Sequence, residues 1–204
     1  MSRARSDVAI AVLAKAPVPH LAKTRLIPAL GAEGAAALQA RLIAHTVETA
    51  LSAGPVTVWA TPDARHPQFK ALAGRVRMQR QPDGDLGARM LAAIAAADGP
   101  VLVIGTDCPA LAPEHLCAAA HALREGIDVV VCPAEDGGYG LIGMRAPHAA
   151  LFTGMTWSAP TVMAETRRRL ARLGLAWREP ARVWDVDTPA DLARLRREFP
   201  QLLG

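Results

Sequence analysis

Six short apolar runs, separated by longer amphipathic stretches, constrain this chain more than any single motif. They fall at 8–14, 56–60, 76–79, 101–105, 129–132 and 141–144, and include VAIAVLA, VLVIG and VVVC. Short runs this continuously apolar suit parallel strands covered on both faces. Between them, helical patterns occupy 32–52, 87–97, 113–125 and 158–173. A last helix is expected at 189–198, with Thr188 as N-cap, Pro189 at the first helical position and Asp191 in the first turn. The repeated switch between the two periods predicts a three-layer α/β sheet. No repeat, low-complexity tract or linker divides the 204 residues, so one domain over 1–204 is the reading.

Composition removes several function classes. No apolar run reaches the ~18 residues of a membrane helix, and the opening segment breaks at Lys15 and Pro17 before a secretory pattern forms. No membrane partner is expected, and the cytoplasm is the expected location. Three cysteines, Cys108, Cys117 and Cys132, form no CxxC pair, which argues against a disulfide framework or a structural zinc site. Aromatic residues make up only 4%, too few for a surface that stacks bases, so nucleic acid is not an expected partner. The core must instead be built from close-packed Ala, Val, Leu and Ile, alanine alone supplying 42 residues.

The charge is unevenly written. Of 23 basic residues only Lys15, Lys23 and Lys70 are lysines, and two of them flank one short segment. Residues 1–102 carry 12 Lys+Arg against 7 Asp+Glu, whereas residues 103–204 carry 11 against 12. The basic stretches Arg167, Arg168, Arg169 and Arg172, and Arg194, Arg196 and Arg197, read as solvated helix faces. The lysine segment is different. LAKAPVPHLAKTRL leaves the first strand at the sheet edge where α/β proteins bind ligands, and it brings Lys15, Lys23 and Arg25 to one loop. Ammonium point charges and a planar guanidinium fork suit a polyphosphate, although neither GxxxxGK[ST] nor GxGxxG is present.

Four further segments carry chemistry. Asp107, in VIGTDCPAL, ends a buried strand at that same edge, where a hard cation could bridge its carboxylate to phosphate oxygens. Cys108 beside it reads as a small buried residue. In VWDVDTPADL, an extended stretch turns Asp185 and Asp187 to one side, so both could reach one metal or two adjacent ones. In PAEDGGYGLIG, Gly137 and Gly138 permit a tight turn and close backbone approach, next to Asp136 and the single tyrosine, Tyr139. In QRQPDGDLGARM, Gly84, Gly87 and Arg89 surround a helix start whose free N–H groups could meet a base edge or a phosphate.

In this order, Lys-x-Pro…Lys-Thr-Arg-Leu, Gly-Asp-Leu-Gly-x-Arg-Met, Gly-Thr-Asp-Cys-Pro, Asp-Gly-Gly-Tyr and Asp-Val-Asp-Thr-x-x-Asp-Leu, the motifs resemble a bacterial family of glycosyltransferase-A-fold transferases of unknown function. That family is glycosyltransferase-like and associated with radical-SAM and arsenosugar gene clusters. More distantly, the chain is similar to phospholactate and phosphoenolpyruvate guanylyltransferases and to molybdenum-cofactor nucleotidylyltransferases. The resemblance implies a Rossmann-like nucleotide-diphospho-sugar transferase fold with a mostly parallel sheet. It also implies that Lys15, Lys23 and Arg25 grip nucleotide phosphates and that Gly84, Gly87 and Arg89 meet base and ribose. Asp107, Asp185 and Asp187 then bind Mg²⁺ or Mn²⁺ and serve catalysis, while Asp136, Gly137, Gly138 and Tyr139 line the acceptor side. One departure is Pro19-His20, where that family has Pro-Gly.

Three functions fit these residues. The first is a metal-dependent transferase that uses a nucleotide sugar and a small acceptor. The second is a nucleotidylyltransferase that joins a nucleoside triphosphate to a small phosphorylated acceptor and releases pyrophosphate. The third is a nucleotide-binding module without turnover.

Overall fold

The computed structural model describes residues 8–204. Seven strands form one sheet: β1 (Ala9–Lys15), β2 (Val56–Thr61), β3 (Arg77–Arg80), β4 (Val101–Ile104), β5 (Val129–Pro133), β6 (Tyr139–Met144) and β7 (Trp177–Arg178). Their spatial order is β3-β2-β1-β4-β6-β5-β7. Every pairing is parallel except the two made by β6, which runs against β4 and β5. The mostly parallel α/β fold read from the sequence is therefore present. The GGY segment forms the tight turn of the β5–β6 hairpin, with Ala134 N–H donating to the Gly138 carbonyl.

Among the described residues, five α-helices lie between strands, α1 (Ile27–Ala53), α2 (Pro67–Lys70), α3 (Leu86–Ala95), α4 (Pro113–Arg124) and α5 (Val162–Arg172), and α6 (Asp191–Glu198) follows the last strand. The first turn of α1 is set off from the rest by Gly31, at φ 70° and ψ 168°, which is why the helical pattern begins cleanly only at 32. Strand alternation sends Ile10, Val12, Leu102, Ile104, Val130 and Cys132 to the face covered by α1 and α4. It sends Ala11, Val101, Val103, Val129 and Val131 to the face covered by α3 and α5. A third cluster joins Leu38 and Leu42 of α1 to Trp184, Val186, Leu192 and Leu195, and so fixes the chain's last acidic segment onto α1.

Three local expectations need correction. The last helix begins at Asp191, because the Asp191 carboxylate accepts from the N–H groups of Asp187 and Thr188 and from the Thr188 hydroxyl. Thr188 is thus a donor in a turn and not the N-cap. Arg169 does not lie on a solvated face. It is buried, pairs with Glu165, and its guanidinium donates to the carbonyls of Ala150, Leu151, Thr153 and Gly154, holding the segment after β6 in place. Arg194 stacks 4.4 Å from the Trp184 ring while bonding Glu135 and Glu198.

Candidate functional site

The parallel strands deliver their carboxyl ends to one edge, and β6, running backwards, starts there. This edge receives the loop after Lys15, the Gly105-Thr106-Asp107 segment after β4 and the turn after β5. The acidic segment is tied to the same place by its backbone. Val183 N–H donates to the Pro133 carbonyl, Glu135 N–H to Val183, and Val186 N–H to Asp107. Asp107, Asp136 and the Asp185-Val186-Asp187 segment, far apart in sequence, therefore share one rim. A concavity of about 1280 Å³ opens at the opposite edge, among Ala9, Gly54, Gly99 and Arg124. It contains none of the candidate phosphate, base, metal or acceptor residues read from the sequence.

Two buried glutamines build the floor of this rim. Gln39, from α1, donates to the Lys15 carbonyl and to the Thr106 hydroxyl, so one amide ties the end of β1 to the segment carrying Asp107. Gln81, just after β3, donates to the carbonyls of Ala14 and Trp59. Both amides satisfy backbone carbonyls near the carboxyl edge of the sheet. Neither stood out in sequence, although a glutamine on the Ala35, Leu38 and Leu42 face of a helix is a signal of a buried polar role.

The basic loop lies against the acids. Lys23 Nζ sits 2.7 Å from Asp107 Oδ1 and donates to the Val186 carbonyl at 2.6 Å. Arg25 pairs with Asp187. Lys15 is exposed at the end of β1. Among the described residues, Asp185 has no cationic partner. Its burial, and then the charge of Asp136, with Asp107 and Asp187 adding less, push its carboxyl up to about 6, against one opposing backbone hydrogen bond. Burial also pushes the Cys108 thiol far up, with Asp107 and Asp185 adding to it. A thiol held protonated fits a packing residue and not a nucleophile.

The donor set offered by Asp107, Asp185 and Asp187 is all carboxylate oxygen, the chemistry of a hard divalent cation. As placed, however, no three His, Cys, Asp or Glu side chains among the described residues are gathered to hold a metal ion. Lys23 and Arg25 stand at two of the three carboxylates.

The hairpin side is a rigid turn. Gly138 N–H donates to Asp136 Oδ1 at 2.8 Å. Gly137, at φ 91°, has no room for a side chain, since a Cβ there would lie 2.0 Å from the Pro160 carbonyl oxygen. Tyr139 turns inward. Burial raises its hydroxyl's pKa, and that hydroxyl lies 3.9 Å from the Met90 sulfur. Across the rim, Asp85 caps α3 by accepting from Ala88 N–H. Gly84 precedes it at φ 116°, and Gly87 is required by packing, because its Cβ would meet Trp157 at 2.6 Å. Among the described residues, Arg89 Nε and Trp157 Nε1 are the buried side-chain donors without a hydrogen-bond partner.

A family model for uncharacterized proteins conserved in bacteria (DUF2064) matches residues 44–159. The chain belongs to this family. The matched span includes Gly84, Gly87, Arg89, Asp107 and the Asp136 to Tyr139 turn, and it stops short of both the basic loop and Asp185. A crystal structure from Desulfovibrio desulfuricans G20, provisionally named a nucleotide-diphospho-sugar transferase, is 27% identical. It has a TM-score of 0.82 and covers 97% of this chain and 97% of that chain. A CMP:2-keto-3-deoxy-manno-octonic acid synthetase complexed with CTP is 18% identical, with TM-score 0.62 and coverage of 95% and 99%. A Mycobacterium tuberculosis H37Rv protein in complex with manganese is 17% identical, with TM-score 0.58 and coverage of 94% and 99%. The last two likenesses concern fold alone. No functionally curated protein matches the chain by sequence. Among the described residues, no helix is long and apolar enough to cross a membrane.

Proposed function

We propose that the chain is a metal-dependent transferase that takes a nucleotide sugar as donor and passes its sugar to a small acceptor at the carboxyl edge of the sheet. The observation that carries this reading is the meeting of Lys23 and Arg25 with Asp107 and Asp187 at an edge that also holds Asp185 and Asp136. Such an arrangement has a use when a polyphosphate and a divalent cation arrive together. Asp107, Asp185 and Asp187 would hold Mg²⁺ or Mn²⁺, which when bound neutralises the charge that builds on a diphosphate leaving group. Lys15, Lys23 and Arg25 orient phosphate oxygens, and Arg89, with an unpartnered buried donor, faces base and ribose beside Gly84 and Gly87. Asp136 and the Gly137-Gly138 turn border the acceptor. Tyr139 contributes its ring to the wall there, since its hydroxyl is buried against Met90. The provisional name of the 27% identical protein supports a nucleotide-sugar donor. The three cysteines, all unpaired, support a reducing cytoplasmic location.

A second reading, nucleotidyl transfer from a nucleoside triphosphate, is favoured by one observation: three cations on one loop exceed what a diphosphate needs. Melting curves with nucleotide sugars and nucleoside triphosphates, each with and without Mn²⁺, separate the two. Metal-dependent stabilisation by a nucleotide sugar is the expected result. Stabilisation by triphosphates alone selects the second reading, and no shift with any nucleotide refutes both.

A further inference from the structure

We propose that Lys23 is an internal latch: its ammonium occupies the cation position on Asp107 in the metal-free protein, and an incoming divalent ion displaces it toward the phosphates of the nucleotide. The inference rests on the reading above, in which Asp107 is a metal ligand, and it adds how that site is kept closed.

The Lys23 side chain is only 5% exposed, whereas that of its partner Asp107 is 54% exposed. The ammonium is thus enclosed by protein on its own side while the carboxylate remains open to an arriving ion. Two oxygens, Asp107 Oδ1 and the Val186 carbonyl, receive its protons at 2.7 and 2.6 Å. A hard cation seeks the same kind of oxygen donors. An ammonium and a divalent cation on one carboxylate repel strongly at such separations, so they occupy Asp107 in alternation.

The backbone is built for a displacement. His20 and Lys23 both lie in the left-handed region, at φ 63° and φ 47°, a conformation that non-glycine residues leave readily when the contact that holds them is lost. Between them, Leu21 is 51% exposed and Ala22 is buried; the N–H groups of both donate to the Val18 carbonyl, and the Lys23 ammonium is the side-chain tie from this segment to the acidic rim. The neighbouring Arg25–Asp187 pair is far more open, with side chains 66% and 41% exposed, and it separates easily in water. A consequence is synergy. Metal frees Lys23 for phosphate, and phosphate draws Lys23 away from Asp107, so each ligand raises the affinity of the other.

Mn²⁺ binding, followed by loss of the free-ion electron paramagnetic resonance signal, tests the latch in wild type, Lys23→Met and Lys70→Met. Lys23→Met is expected to bind Mn²⁺ alone roughly tenfold more tightly than wild type, the scale of one charge-assisted hydrogen bond. Lys70→Met should match wild type. Inorganic pyrophosphate should raise Mn²⁺ affinity by a larger factor in wild type than in Lys23→Met. If wild type binds Mn²⁺ and Lys23→Met binds it no more tightly, or the pyrophosphate factors are equal, the latch is refuted and the metal reading stands. If neither protein binds Mn²⁺, both fall. Lysine labelling of the wild type gives a second measurement independent of any variant. Lys23 should resist an amine-reactive reagent without metal and react once Mn²⁺ is added, with exposed Lys70 as the internal standard. Labelling of Lys23 that Mn²⁺ leaves unchanged overturns the proposal.

Discussion

Replacing Asp185 by asparagine should stabilise the metal-free protein, and the gain should depend on pH in a defined way. The carboxyl is pushed up to about 6 by burial and by the neighbouring acids, first among them Asp136, while an unfolded aspartate titrates near pH 4. The native state therefore holds this proton more tightly than the unfolded state does. Below about pH 4 both states are protonated and the residue contributes no penalty. As pH rises from about 4 to 6, the unfolded chain releases the proton first, so stability falls. Above about 6 the penalty is complete, and at about 1.4 kcal/mol per pKa unit a displacement of about two units amounts to roughly 3 kcal/mol. Asparagine keeps the shape and removes the charge. For a domain of this size, 1 kcal/mol corresponds to roughly 2 to 4 °C, so Asp185→Asn should melt on the order of 5 to 10 °C above wild type at pH 7.5. The gap should close as pH is lowered to 4. Calorimetry or circular dichroism melts across that range, with chelator present, measure it. Equal melting temperatures at pH 7.5, or a gap that does not narrow on acidification, would refute the electrostatic account of Asp185.

Two further substitutions probe the support of the site. Gln39→Leu leaves the Lys15 carbonyl and the Thr106 hydroxyl without the amide that joins them; it should destabilise by about 1 to 3 kcal/mol in urea unfolding, and Gln39→Glu should not restore the loss, since a buried carboxylate cannot donate to the carbonyl and carries its own desolvation cost. Arg169→Met strips hydrogen bonds from four carbonyls and leaves Glu165 bonded to Arg168 alone; a loss of about 3 kcal/mol or more is expected, with a change in tryptophan fluorescence as the segment carrying Trp157 loosens.

Elements with a repeating pattern were legible, and those set by tertiary contact were not. Five of the strands announce themselves because each is largely buried and so apolar almost throughout, whereas Arg77–Arg80 is a mostly exposed edge strand that is marked only by Val76 and Met78. The seventh, Trp177–Arg178, is two residues long and pairs only with β5, so it leaves no run to detect. The four-residue α2 escapes for the same reason: its cap is the His66 ring nitrogen accepting from Gln68 N–H, an uncommon signal. Arg169 was misread because its helix is rich in arginine, and only the four carbonyls converging on it distinguish it from the exposed Arg168.

The candidate site divides along the same physical line. That Lys15, Lys23, Arg25 and Asp107 gather at one edge follows from strand direction alone, because loops leaving parallel strands emerge on one side. Which cation meets which acid does not follow, since Lys23 and Asp107 are brought together by the packing of Trp184 and Val186 against α1, which fixes where the Val186 carbonyl stands. A polyphosphate loop and an acidic metal group looked like two separate devices in the sequence. Packed against each other, they neutralise one another: Lys23 stands on Asp107 and Arg25 on Asp187. Unlike Asp107 and Asp187, Asp185 has no cationic partner among the described residues, and burial together with the neighbouring acids, Asp136 first, raises its pKa.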